Sequence, residues 1–259
     1  MKRKNVLLLL LTMILPSCAS LPAPEGFDYQ VIRTKGFSLA SWARVGEAGK
    51  ALRVYIEGDG LAWINAYTPS SDPTPSDRTV LELAQRDVSP NIVYLARPCQ
   101  YVFSDECRVY YWTSGRFDPK VVSSETEAVR ALIRQYKAPS VELVGYSGGA
   151  AVALLTALNV PEVSKVYTVA GVLDHKAWTS FHGDSPLTGS MNPADYKEKL
   201  AKIPQTHFAG GADKTVPVSL TEKFVYSLKS DRAEMIIVPS VSHGKGWNKV
   251  WDRLITPVK

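Results

Sequence analysis

Gly145-Tyr146-Ser147-Gly148-Gly149 contains the pattern G-x-S-x-G. A serine in this setting can serve as a nucleophile for acyl transfer. A tight strand-to-helix turn holds it in a strained backbone, and the flanking glycines relieve the crowding that strain would cause. The neighbouring residues fit such a turn. Residues 141–144 form a short apolar run without helical period, and 149–158 are apolar nearly all round, as a buried helix would be. The helix N-terminus behind Ser147 favours negative charge developing there. The competing reading is a glycine-rich turn with a bystander serine.

A hydroxyl is a weak nucleophile and needs a base within hydrogen-bond reach. The chain has four histidines, His175, His182, His207 and His243. His243 follows the last strong strand pattern, 235–238. In a parallel α/β sheet the loops beyond the carboxyl ends of the strands converge on one edge, so His243 can meet Ser147. His207 lies inside a strand-like run, and His175 and His182 fall in a long polar segment. The base in turn needs a carboxylate to fix its tautomer and stabilise the imidazolium. Asp213 follows Gly210-Gly211-Ala212 and precedes the helix start at Pro217; Asp174 is its rival. The backbone N–H of Gly148 is one expected oxyanion donor. The other is expected from Glu57-Gly58-Asp59-Gly60, with Asp59 nominated and Gly60 as the alternative. Gly60, Tyr146 and Trp178 are expected to shape the substrate pocket.

These residues need a scaffold in which strands and helices alternate. Strand-like runs occur at Leu52–Ile56, Asn91–Leu95, 141–144, 166–170 and 235–238. Helical patterns lie between them. Asp118-Pro119 is a good start, followed by an apolar stripe of Val129, Leu132, Ile133 and Tyr136. Pro217 opens a helix striped by Leu220, Phe224 and Leu228, and 247–254 can form a last short one. The alternation predicts an α/β fold with a mostly parallel sheet and helices on both faces. Two further stretches, 29–33 and 37–42, predict an antiparallel edge. Residues 66–77, rich in Pro, Ser and Asp, read as a loop. Residues 174–204 read as a lid-like insertion in the domain spanning 27–259.

The order Ser147, Asp213, His243, with the elbow and the glycine-bearing loop after an early strand, resembles the α/β-hydrolase family. The resemblance covers nearly all of 52–254. It implies a central sheet of about eight strands, acyl-enzyme chemistry and no cofactor. Members of the family often carry His-Gly where this chain has Glu57-Gly58. The segment 97–115, with Cys99 and Cys107, is not a general feature of the family. The expected activity is a serine hydrolase cleaving an ester or thioester, of carboxylesterase, lipase or thioesterase type. The alternative is a non-catalytic binding lipoprotein on the same scaffold.

The chain has 259 residues, enough for one domain with a large core. Apolar residues make up 45% and charged residues 21%, which argues against a disordered or fibrous chain. At the N-terminus Lys2, Arg3 and Lys4 precede an apolar run at 6–15, too short to span a bilayer core of roughly 30 Å. Residues 1–17 therefore read as a secretory signal peptide. Leu15-Pro16-Ser17-Cys18 resembles a bacterial lipobox, with Cys18 lipidated and 18–26 as anchor and tether. Cleavage there removes three of the charges behind the formal +5, and no basic cluster remains to suggest nucleic acid. Export places Cys99 and Cys107 in an oxidising compartment, where a disulfide is expected; two buried thiols are the alternative. No histidine lies close enough to either cysteine to suggest a metal site. The expected partners are a small-molecule or lipid-like acyl substrate and a membrane reached through the anchor. The expected state is a monomer at the outer membrane, facing the periplasm.

Overall fold

The computed structural model describes residues 24–255. The expected leader 1–17 and the lipidation site Cys18 lie outside them. The elements, in order, are β1 (Asp28–Arg33), β2 (Ser38–Val45), β3 (Leu52–Ile56), β4 (Trp63–Asn65), β5 (Thr68–Pro69), α1 (Thr79–Arg86), β6 (Asn91–Leu95), α2 (Pro119–Tyr136), β7 (Val141–Tyr146), α3 (Gly148–Ala157), β8 (Val163–Val169), α4 (His175–His182), α5 (Lys197–Leu200), β9 (Gln205–Gly210), α6 (Val218–Leu228), β10 (Ala233–Val238) and α7 (Trp251–Leu254).

Eight strands form one sheet in the order β1-β2-β6-β3-β7-β8-β9-β10. β1 and β2 are antiparallel to their neighbours, and all other pairs are parallel. β3 and β6 are buried at every position, because helices cover the sheet on both faces there. β10 lies at the far edge and leaves Ile236 and Ile237 partly exposed. The sheet separates two apolar clusters. One gathers Val121, Val129 and Leu132 of α2, the apolar body of α3, and Phe224 and Leu228 of α6. The other gathers Val80, Leu83 and Ala84 of α1 with Trp247 and Trp251. The strand order turns between β3 and β7, and loops at the carboxyl ends of the strands gather there.

α2 starts where Asp118 and Pro119 suggested: the Asp118 side chain accepts from the Lys120 amide at 2.8 Å. Three elements depart from expectation. α1 was hidden because its apolar residues cover less than three turns of one face. Part of the expected 66–77 loop is the second strand of a small hairpin, β4–β5. The C-terminal helix is broken into a 3-10 turn, Trp247–Lys249, and α7. Residues 174–204 are not an open loop either. They hold α4, a 3-10 turn at Pro193–Tyr196 and α5. Cys99 and Cys107 are disulfide-bonded, with their Cα atoms 5.7 Å apart.

Candidate active site

Ser147 sits between the end of β7 and the first turn of α3, with φ 52° and ψ −120°. Few non-glycine residues adopt such a backbone, and it costs on the order of 1–3 kcal/mol, so the surroundings must enforce it. They do so through packing. A Cβ on Gly149 would lie 2.3 Å from the Glu57 carbonyl oxygen, and one on Gly145 would lie 2.4 Å from the Gly149 carbonyl oxygen. Only glycine lets α3 press this closely on the ends of β3 and β7. The Ser147 amide donates to Val169 at 3.0 Å, and its carbonyl accepts from Val172 at 3.0 Å.

His243 lies in the loop beyond β10. Its Nε2 is 3.0 Å from Ser147 Oγ, and its Nδ1 is 2.9 Å from Asp213 Oδ2. The Asp213 side chain is fully buried, and its Oδ1 accepts from the amides of Thr215 at 2.8 Å and Val216 at 2.9 Å. Each oxygen of the carboxylate therefore has a fixed partner. The His243 carbonyl is held twice, by Trp247 Nε1 at 2.8 Å and by the Tyr146 hydroxyl at 3.2 Å. The Tyr146 ring lies 5.4 Å from the imidazole. Tyr146 is thus a buried support beneath His243. Trp247 was not singled out by the sequence; its position four residues after His243, on one turn of chain, was the available signal.

The rival residues have other partners. Asp174 caps α4, accepting from the amides of Lys176 and Ala177 and from Asn192 Nδ2. His207 is buried in β9 against Thr168 Oγ1 at 2.8 Å, and burial pushes its pKa down to about 3. His175 is buried beside Ser190, and burial lowers its pKa too. His182 and Trp178 both reach the Thr215 carbonyl at 2.8 Å. Trp178 therefore clasps α4 to the loop that carries Asp213.

On the other side of Ser147 the Asp59 carboxylate lies against Gly148, where a Cβ would come 2.1 Å from Oδ1. Arg116 Nη1 donates to Asp59 Oδ2 at 2.6 Å, and Arg97 Nη1 stands 3.6 Å from Oδ1. Gly60 has φ +61°, and a Cβ there would lie 2.1 Å from the Pro73 carbonyl oxygen, so the 73–75 segment is what demands glycine. Glu57, where the family often has histidine, points inward. It accepts from the Tyr94 hydroxyl at 2.7 Å and the Gly58 amide at 2.8 Å. Burial pushes its carboxyl up to about 7, against these hydrogen bonds. A cavity of about 250 Å³ lies beside the His243 loop, lined by Thr79, Glu82, Gly244, Lys245 and Trp247. Among the described residues no group of three or more His, Cys, Asp or Glu could hold a metal ion.

A serine on a strained elbow, beside an imidazole and a buried carboxylate on a doubly covered parallel sheet, defines a serine hydrolase of the α/β-hydrolase fold. The family described as Serine hydrolase (FSH1) matches residues 73–243, and the chain belongs to it. Among curated proteins no sequence matches significantly. Solved structures share the fold. The esterase Pf2001 from Pyrococcus furiosus superposes with a TM-score of 0.63 at 15% identity, covering 88% of this chain and 90% of that one. Est1E from Butyrivibrio proteoclasticus gives 0.61 at 11%, covering 87% and 95%. An alpha-beta serine hydrolase homologue from Coxiella burnetii gives 0.61 at 16%, covering 88% and 97%.

One expectation is overturned. The outer-membrane, periplasm-facing location was read from the first residues alone. Proteins that share this fold over most of their length include esterases and a serine hydrolase homologue, and among the described residues no helix is long and apolar enough to cross a membrane. The location is withdrawn.

Proposed function

We propose that Ser147, His243 and Asp213 are the catalytic triad of an esterase or thioesterase, with the backbone N–H groups of Gly148 and Asp59 as the oxyanion hole. Ser147 Oγ attacks the acyl carbonyl while His243 Nε2 takes its proton. Asp213 holds the Nδ1–H tautomer and stabilises the imidazolium. The carbonyl oxygen becomes an oxyanion against the two amides, at the positive end of α3. Collapse breaks the bond to the leaving oxygen or sulfur, which receives the proton from Nε2. Water, deprotonated by the same nitrogen, then releases the acid and restores the serine.

The observation that carries this reading is the unbroken chain from Ser147 Oγ to His243 at 3.0 Å and on to Asp213 at 2.9 Å. The insertion 174–204 forms a fixed wall of the cleft in this reading. It is tied to Thr215 through Trp178 and His182, and to Ser114 and Phe117 through Ser190. The substrate is a small acyl compound entering between that wall and the His243 loop.

The test is labelling by a fluorophosphonate probe, followed by hydrolysis of short acyl esters and thioesters. The wild-type protein is expected to label and turn over, and Ser147→Ala to do neither while keeping its circular dichroism spectrum. A folded wild-type protein that does not label would favour the non-catalytic binding reading.

A further inference from the structure

The loop 57–60 carries one of the two amides assigned to the oxyanion, yet almost nothing in its own backbone fixes it. It has no strand or helix assignment, and its backbone tie to the sheet is the Glu57 amide to Leu95 at 3.1 Å. Side chains from the chain that follows β6 hold the rest. Gln100 Nε2 donates to the Gly58 carbonyl at 3.0 Å. Arg116 and Arg97 converge on the two oxygens of Asp59.

We propose that Arg116 and Arg97 are positioning residues, which clamp the Asp59 carboxylate so that the Asp59 N–H stays aimed at the oxyanion beside Gly148. This rests on the oxyanion assignment above. Three observations carry it beyond a surface ion pair. First, both arginines are themselves fixed. Arg116 Nε donates to the Thr113 carbonyl at 2.8 Å; Arg97 donates to the Arg116 carbonyl and stacks 5.6 Å from the Phe117 ring. Second, the cluster is buried, with side-chain exposures of 5% for Arg97, 9% for Arg116 and 19% for Asp59, so solvent screens it little. Third, the chain carrying the clamp is braced. The Cys99–Cys107 disulfide closes the stretch between the two arginines, and that stretch holds Gln100, which bonds Gly58 from between two residues of positive φ, Cys99 and Tyr101.

The charge arithmetic points the same way. A bare carboxylate against Gly148 would oppose negative charge growing on the carbonyl oxygen. Arg116 and Arg97 offset that carboxylate; the other carboxyl beside Arg97, Glu125 at 3.8 Å, is pushed up to about 8 by burial and so adds little negative charge near neutral pH.

The experiment compares Arg116→Met and Arg116→Lys with the wild-type protein in ester hydrolysis, and measures inhibition by a trifluoromethyl ketone, which forms a tetrahedral adduct on the serine. For Arg116→Met, kcat is expected to fall about 10- to 100-fold with KM within about two-fold, since a displaced donor is felt in the transition state. Ketone affinity should fall by the same factor as kcat/KM, and Arg116→Lys should recover part of both. If Arg116→Met does not fold, Asp59→Asn loosens the same clamp at constant volume and should show the same split at about five-fold. A folded Arg116→Met protein with kcat within two-fold of wild type would overturn the clamp, as would a loss confined to KM. Absence of fluorophosphonate labelling in the wild-type protein would instead defeat the hydrolase site on which the clamp rests.

Discussion

On one flank of Ser147 hydrogen bonds run through His243 to Asp213, and Asp213 takes two backbone amides of its own loop. On the other flank four ionisable residues, Asp59, Arg97, Arg116 and Glu125, come together from distant parts of the sequence, and several of their buried polar atoms have no hydrogen-bond partner. The first flank is closed by hydrogen bonds and, in the proposed reading, handles a proton. The second is gathered by tertiary packing, and its effect is a field. A proton relay needs contacts near 3 Å, which the loops beyond β7, β9 and β10 supply at one edge of the sheet. An electrostatic clamp tolerates looser contacts but needs burial, because water would screen it. A buried ion cluster is a poor source of net stability, which makes a role beside the oxyanion the more economical reading of its cost.

The largest way to break the histidine flank is Asp213→Asn. It keeps the shape and removes the charge that fixes the tautomer, so kcat should fall about 10³- to 10⁴-fold. Asp174→Asn, made in parallel, should leave kcat nearly unchanged, since Asp174 caps α4 and holds Asn192, away from His243. Equal losses in the two variants would reverse the assignment of the acid.

A smaller effect is expected from Gly148→Ala, which attacks the other flank without touching a charge. The new Cβ would lie 2.1 Å from Asp59 Oδ1, so the carboxylate must move. With it moves the loop that carries the Asp59 amide. A fall in kcat of about 10- to 100-fold is expected in steady-state assays, with labelling slowed to match. Full activity would mean that the position of Asp59 does not matter.

The smallest effect concerns stability and separates the two flanks by pH. Burial pushes the Glu125 carboxyl up to about 8, with Arg97 opposing it. The folded protein keeps a proton here that the unfolded chain has released above its ordinary value of 4.5. Its contribution to stability is therefore full below that value and is lost as pH rises towards 8. Glu125→Gln cannot titrate. Urea denaturation at pH 5 and pH 8 should show a smaller loss of stability for the variant, by about 1 kcal/mol or more. An identical loss in both proteins would place Glu125 in a more polar environment than its burial indicates.

The legibility of the two flanks differs for the same physical reason. Ser147, Asp213 and His243 could be read because each follows a short apolar strand pattern and is flanked by glycine or a helix start, and those are local signals. The parallel sheet then brings such loops to one edge wherever the chain crosses it. Arg97, Arg116 and Gln100 carried no local signal. The only hint was that the chain beyond β6 must leave the sheet next to the chain beyond β3. The pocket residues were the least legible. Tyr146 lies under His243, Trp178 is tied to Thr215, and Gly60 answers to Pro73. Helix α1 was missed because eight residues give too short a period to stand out.

By itself the sequence determined the alternation of strands and helices, the strained elbow at Ser147 and the placing of an aspartate and a histidine in loops that follow strands, because these depend on periodicity and on backbone freedom within a few residues. The tertiary structure alone decided which aspartate meets His243, which side chains support it, and which charges lie beside Gly148. Those outcomes depend on distances between residues far apart in the chain, and only packing sets them.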